Sequence, residues 1–204
     1  MTNGVEGRLT RVERTSKRRE KITAVATQYI MERGFENLSV NDLAAAVGIS
    51  VGGMYRYIDT KVDLLVMVCQ NIYGDLRDEL GEVAAGPEPV ATKMRWAIEL
   101  YLSSCEDKRE QIAMMYREYR SLPTDAQREY KQRELAIGSV FADLIRSGIQ
   151  HGSFRSVDPT VVAMNIVFLG HLPALKSWAL HDIACSSEQL RHQQCELLMS
   201  SLGV

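Results

Sequence analysis

Proline occurs five times and glycine 14 times in 204 residues, too little punctuation for an all-β chain that must turn every eight to twelve residues. Four cysteines (Cys69, Cys105, Cys185, Cys195) show no CxxC spacing, and four histidines (His151, His171, His181, His192) do not pair with them at zinc distances. That excludes a zinc ribbon and a thioredoxin-type redox motif, and the cysteines are expected reduced and buried. No HExxH, GxSxG or phosphate-loop pattern is present, so the usual constellations of a hydrolase or nucleotidase are missing and no catalytic residue, metal ligand or cofactor is assigned. No apolar h-region follows the basic N-terminus, so no signal peptide is expected. The apolar stretch Val161 to Leu180 is interrupted by Asn165, His171, Pro173 and Lys176, which fits a buried helix better than a membrane span. A cytoplasmic protein with no membrane partner is the expectation.

Net charge is small, but the charged residues are unevenly placed. The formal net charge is −2, yet residues 1–21 hold seven Lys/Arg (Arg8, Arg11, Arg14, Lys17, Arg18, Arg19, Lys21) against three Glu. Residues 61–204 hold 15 basic against 19 acidic residues. A basic head on an acidic body points to a polyanion at one end of the chain.

What is abundant is helical period. Ile22, Val25, Ala26, Tyr29 and Ile30 recur as one helix face, and Gly34 supplies a left-handed stop. Ser39 with Asp42 three residues on opens a short helix that ends at Gly48. Ser50 opens another reaching Tyr57, and Thr60 with Asp63 opens a fourth that the periodicity carries to about Leu80. Gly81 to Pro89 reads as a linker. Longer helices follow at about 90–105, 108–121, 124–150, 159–180 and 187–200, with Ser186-x-x-Gln189 as a capping box. The expected fold is all-α, with about nine helices. A three-helix head with a basic arm occupies residues 1–60, and a larger helical bundle for ligand binding and dimerisation occupies residues 61–204.

Ser39 to Tyr57 has the anatomy of a helix-turn-helix, with small Ala44 and Ala45 at the crossing and a tight turn at Gly48-Ile49. Such a pair presents the second helix to the major groove. The competing reading is any αα corner; the basic segment before it and the Tyr55, Arg56 and Lys61 group after it favour DNA. A helical enzyme and a protein-binding adaptor are the rival classes. The first lacks a nucleophile–base pair, and the second leaves the basic groups unexplained.

At this point the segment Arg18 to Leu65 resembles the tetracycline-repressor (TetR) family of bacterial transcription regulators. The resemblance lies in ERGF (Glu32 to Phe35), then LSVNDLAAAVGIS, then GGMYRYIDTKVDLL. Tyr57 and Ile58 stand where the family more often has His and Phe, and Val51 and Gly53 where Lys and Thr are common. The resemblance implies a homodimeric, ligand-responsive repressor on a palindromic operator of double-stranded DNA. It implies DNA-binding roles for Ser39 and Ser50 (phosphate at helix N-termini), Val51 and Gly53 (a methyl contact and close approach), and Arg56 (a guanine or a backbone clamp). It also implies phosphate contacts for Lys61 and for Tyr55, for which a plain core tyrosine is the lesser alternative. The basic arm either adds phosphate affinity or is a solvated tail.

The second half resembles the acyl-CoA-sensing branch in RSLPTDAQREYKQRE, GIQHGSFRSVDP and Trp178, implying a small hydrophobic or acyl-CoA effector. Inward faces nominate Ile98, Tyr101, Leu102, Met114, Arg117, Phe141, Leu144, Asn165, Phe168 and Leu169 as its pocket. Asn165 either orients the ligand or bonds across a dimer seam. Pro173 is expected to kink its helix.

Overall fold

The computed structural model describes residues 11–204, with side chains from residue 14 onward. Among them lie eleven α-helices, one 3-10 turn and no strand. They form two compact units that divide after Asn71.

The first unit holds α1 (Arg11–Arg33), α2 (Val40–Val47), α3 (Val51–Met54) and α4 (Lys61–Gln70). The sequence signals for their ends are met in the backbone. Ser39 Oγ accepts from Asp42 N at 3.3 Å and Ser50 Oγ from Gly53 N at 3.0 Å. Gly48 takes φ +78°, the left-handed conformation that lets its N–H reach back to Ala44 and Ala45. Asp63 caps α4 in return, its carboxylate accepting from Thr60 N at 2.7 Å. Ile22, Ile30, Leu43, Met54, Leu64 and Leu65 are fully buried between these helices. Each such side chain contributes roughly 1.5–3 kcal/mol of transfer free energy.

Two expectations are corrected here. The basic residues before Ile22 are not an arm as far as they are described: α1 starts at Arg11, so Lys17, Arg18, Arg19 and Lys21 ride on a helix, and Lys21 Nζ donates to the Val47 carbonyl at 2.9 Å. Arg8 lies outside the described residues. The fourth helix does not run from 60 to 80. It stops at Gln70, and a new helix, α5 (Leu76–Ala85), begins after a turn in which Gly74 has φ +46°. Asn71, Gly74 and Asp75 favour that turn, while Ile72, Leu76 and Leu80 kept an apolar period that concealed it.

The second unit adds α6 (Val90–Asp107), α7 (Arg109–Glu118), α8 (Thr124–Gln150), α9 (Pro159–Leu175), α10 (Ser177–Asp182) and α11 (Ser187–Leu202). Because α5 runs to Ala85, the linker shrinks to residues 86–89. The long pair α8 and α9 pack along each other, and α6 lies against α5, α8, α9 and α11. Gly170 permits a close approach of α9 to α6: a Cβ there would stand 2.4 Å from the Tyr101 ring and 3.0 Å from Cys105 Sγ.

The apolar helix expected over 159–180 is two helices. Pro173 has no N–H for the Leu169 carbonyl, and the helix ends two residues later. The orphaned Leu169 oxygen accepts instead from Gln194 Nε2 at 2.9 Å, a buried amide brought by α11. No helix among the described residues is long and apolar enough to cross a membrane.

Candidate functional site

In the first unit, the residues expected at DNA gather around α2 and α3. Ser39 is half-buried and Ser50 exposed, each at a helix start. Val51 and Tyr55 are exposed by 37% and 50%, which takes Tyr55 out of the core and leaves its phenol on the surface. Gly53 lies close to its own cap, since a Cβ would meet Ser50 Oγ at 3.1 Å. α3 is shorter than the helix expected through Tyr57. Met54 to Tyr57 instead form a turn, with Tyr57 N donating to the Met54 carbonyl at 2.8 Å, as suits a segment weakened by Gly52-Gly53. Ile58, at the position where the resemblance expects an aromatic ring, is core.

Lys61 is engaged within the head. Its Nζ donates to the Glu36 carbonyl at 2.7 Å and stands 4.9 Å from the Phe35 ring centroid. That explains a cation in the first turn of α4, where the helix dipole opposes it. Arg56 shares a cleft of about 370 Å3 with Arg19 of α1, Asp59 and Asp63. The structure thus brings a second guanidinium to Arg56 that the sequence did not connect with it.

In the second unit, one extended polar cluster lies within a largely apolar interior. Tyr73 from the turn before α5, Tyr101 from α6, Tyr116 from α7, Tyr130 and Glu134 from α8 and His171 from α9 converge on a hydrogen-bond network. Tyr101 donates to the Val167 carbonyl at 3.1 Å and Tyr73 to Glu134 Oε2 at 3.0 Å. Tyr73 having committed its proton, Tyr130 donates to it across 3.1 Å. His171 Nε2 lies 3.2 Å from the Tyr73 oxygen and 3.3 Å from that of Tyr101, so this nitrogen carries the hydrogen. His171 Nδ1 then accepts from Tyr116 at 3.0 Å. All these bonds are satisfied with a neutral imidazole. Burial lowers the His171 pKa below the usual imidazole range, against a smaller raising effect from Glu134. Burial first, and neighbouring phenols and Glu134 after it, raise Tyr73 far above an ordinary phenol. Burial likewise raises Tyr101 and Tyr130.

Of the pocket residues nominated from sequence, Ile98, Tyr101, Leu102, Met114, Phe141 and Leu144 are buried inside this unit. Three are not. Ile166, Val167, Gly170 and His171 take the inward face of α9, so the helical period turns Asn165 and Phe168 outward, and Phe168 is 55% exposed. Arg117 is exposed and paired with Glu118 at 2.8 Å. Leu169 is half-buried, with its backbone oxygen bound by Gln194. The sequence reading passed over Tyr73, Tyr116, Tyr130, Glu134 and the role of His171. Their spacing carries no motif; only a polar histidine on the apolar stretch 161–180 hinted at them.

The head just described is that of a helix-turn-helix transcription regulator. A family model for bacterial regulatory proteins of the tetR family matches residues 22–68. A second, described as the tetracyclin repressor-like C-terminal domain, matches residues 87–202. The chain belongs to the TetR family of transcriptional regulators. It is 25% identical over 166 residues to the HTH-type transcriptional regulator HbdR of Aromatoleum sp. (strain CIB), covering 81% of this chain and 72% of that one. A TetR/AcrR-family regulator from Thermobifida fusca shares the fold with a TM-score of 0.75 at 22% identity, over 90% of this chain and 97% of the other. AibR, solved in complex with isovaleryl coenzyme A and operator DNA, shares it with a TM-score of 0.72 at 19% identity, over 89% and 98%.

Proposed function

We propose that the protein is a homodimeric repressor whose α2 and α3 bind a palindromic operator, and that a hydrophobic or acyl-CoA-type effector in the core of the second unit releases it. The observation that carries this reading is the capped α2–Gly48–α3 corner with Tyr55 and Arg56 exposed beside it. Ser39 and Ser50 lend helix N-termini to phosphates, Val51 and Gly53 form the close-approach surface, and Tyr55 and Lys61 grip the backbone. Arg56, sharing its cleft with Arg19, reads a guanine or clamps phosphate from the same flank.

The effector half rests on the polar network inside the bundle, which sets a few hydrogen-bonding groups within an apolar surround, the composition of a small-molecule site. Tyr73 supplies the coupling. It lies two residues beyond the first unit, in the turn that interrupts the helical run, and is tied to Glu134, Tyr130 and His171. A ligand that rearranges those bonds acts on the segment joined directly to α4. AibR, whose complex holds both an acyl-CoA and operator DNA, is a fold relative with the same pairing of ligand and DNA.

Dimerisation is supported by Val161, Met164 and Phe168 on one outward face of α9 and Leu197 on α11, each between 38% and 62% exposed. Fluorescence anisotropy with DNA flanking the protein's own gene tests the reading. Binding that outlasts excess unrelated DNA and is lost on adding an apolar effector is expected; equal affinity for both DNAs overturns it.

A further inference from the structure

Taking the bundle core as the effector site, we propose that it selects a neutral, hydroxyl-bearing apolar molecule, a phenol or alcohol, over the carboxylate of the same skeleton. The observation behind this is the Tyr119 hydroxyl, which is buried and has no hydrogen-bond partner. A native buried hydroxyl in that condition calls for a partner, and a ligand's polar group can supply it. The Tyr119 ring stands edge-on to Tyr130 with centroids 6.2 Å apart, and Tyr130 is bonded through Tyr73 to Glu134. The Tyr119 ring therefore packs against a member of the polar network, while its hydroxyl takes no part in the network's bonds.

Charge then decides what kind of group fits. The formal charge within the network is the Glu134 carboxylate, and the imidazole beside it is neutral. Lys131, whose ammonium lies over the Tyr119 ring at 5.7 Å, is exposed to solvent, and Arg117 is held by Glu118 at the surface. An entering carboxylate would bring a second negative charge toward Glu134 with no buried cation to receive it. A hydroxyl can do what neither a carboxylate nor a hydrocarbon can: accept from Tyr119 while donating into an acceptor-rich network. Sites built to bond a hydroxyl discriminate steeply against the analogue without one, because their own groups are then left unpaired. If an acyl thioester enters, its phosphates remain outside this core.

The test uses the full-length protein and two matched series, naphthalene and biphenyl, each as hydrocarbon, hydroxyl, carboxylate and aminomethyl compound. Calorimetry should show the hydroxyl compound binding about ten-fold more tightly than its three relatives, within the range for losing one such bond. Tyr119→Phe should remove most of that advantage and leave hydrocarbon affinity unchanged, and Glu134→Gln should raise carboxylate affinity. Tighter binding of a carboxylate or an ammonium compound overturns the proposal, as does unchanged hydroxyl affinity in Tyr119→Phe or no binding in either series. Operator binding is measured alongside. Hydroxyl compounds that bind without releasing DNA would refute the coupling and leave this selectivity standing. Carboxylates that bind best and do release DNA would refute the selectivity and leave the repressor reading standing.

Discussion

At the scale of single residues, Lys61 holds the head together through one hydrogen bond to the Glu36 carbonyl, and an ammonium keeps two further protons for the phosphate contact proposed above. Lys61→Ala is therefore expected to weaken all DNA sites alike and to lower the salt slope by about one unit, checked by titration at several salt concentrations. Arg56→Ala should instead change the ranking of operator variants, at about 1–3 kcal/mol for the base it reads, if its contact is a guanine. A uniform loss would assign it to phosphate with Arg19. His171 makes a different prediction. Its folded pKa lies below the unfolded value of about 6.5, so the native state binds fewer protons and stability rises with pH. That contribution is complete above about 6.5 and is lost as pH falls through the lower folded value. Melting temperature should drop across that window, and less so in His171→Gln. Capping serines and the stop at Gly48 were legible because their partners lie within four residues. Of the tyrosines around His171 only Tyr101 was nominated, because residues 73, 101, 116 and 130 meet only after five elements have packed.

Helices were read well where they begin and poorly where they break inside an apolar run. The turn at residues 71–75 and the stop after Leu175 both sit in stretches whose hydrophobic period continues past them. Pro173 announced a disturbance, but its resolution lies in another helix: Gln194 of α11 bonds the Leu169 carbonyl that proline leaves bare. Gln194→Leu should thus cost about 1–3 kcal/mol by burying that oxygen unpaired. In a Pro173→Ala background, where an N–H is restored at residue 173, the same substitution should cost much less. A double-mutant cycle by urea unfolding measures the difference, and equal costs in both backgrounds would show that the two residues act independently.

For the molecule as a whole, the all-α class and the helix-turn-helix were visible in the sequence, since both rest on period and caps. Which face of α9 is inward was not, because a helix apolar on nearly every side has no stripe to read; hence Asn165 and Phe168 were placed in a pocket they do not line. Their outward position supports the dimer instead. Phe168→Asp should shift sedimentation toward monomer at micromolar protein and reduce operator affinity about ten-fold or more, as loss of a buried aromatic anchor does. In the proposed reading, this chain recognises DNA as a two-fold dimer through α2 and α3. Hydroxyl-radical footprinting on DNA beside its own gene tests it most directly. Two protected half-sites whose centres lie one helical turn apart, about 34 Å, or a whole multiple of it, are predicted, with protection lost in Phe168→Asp. A single unpaired footprint, or the same protection on unrelated DNA, would contradict it.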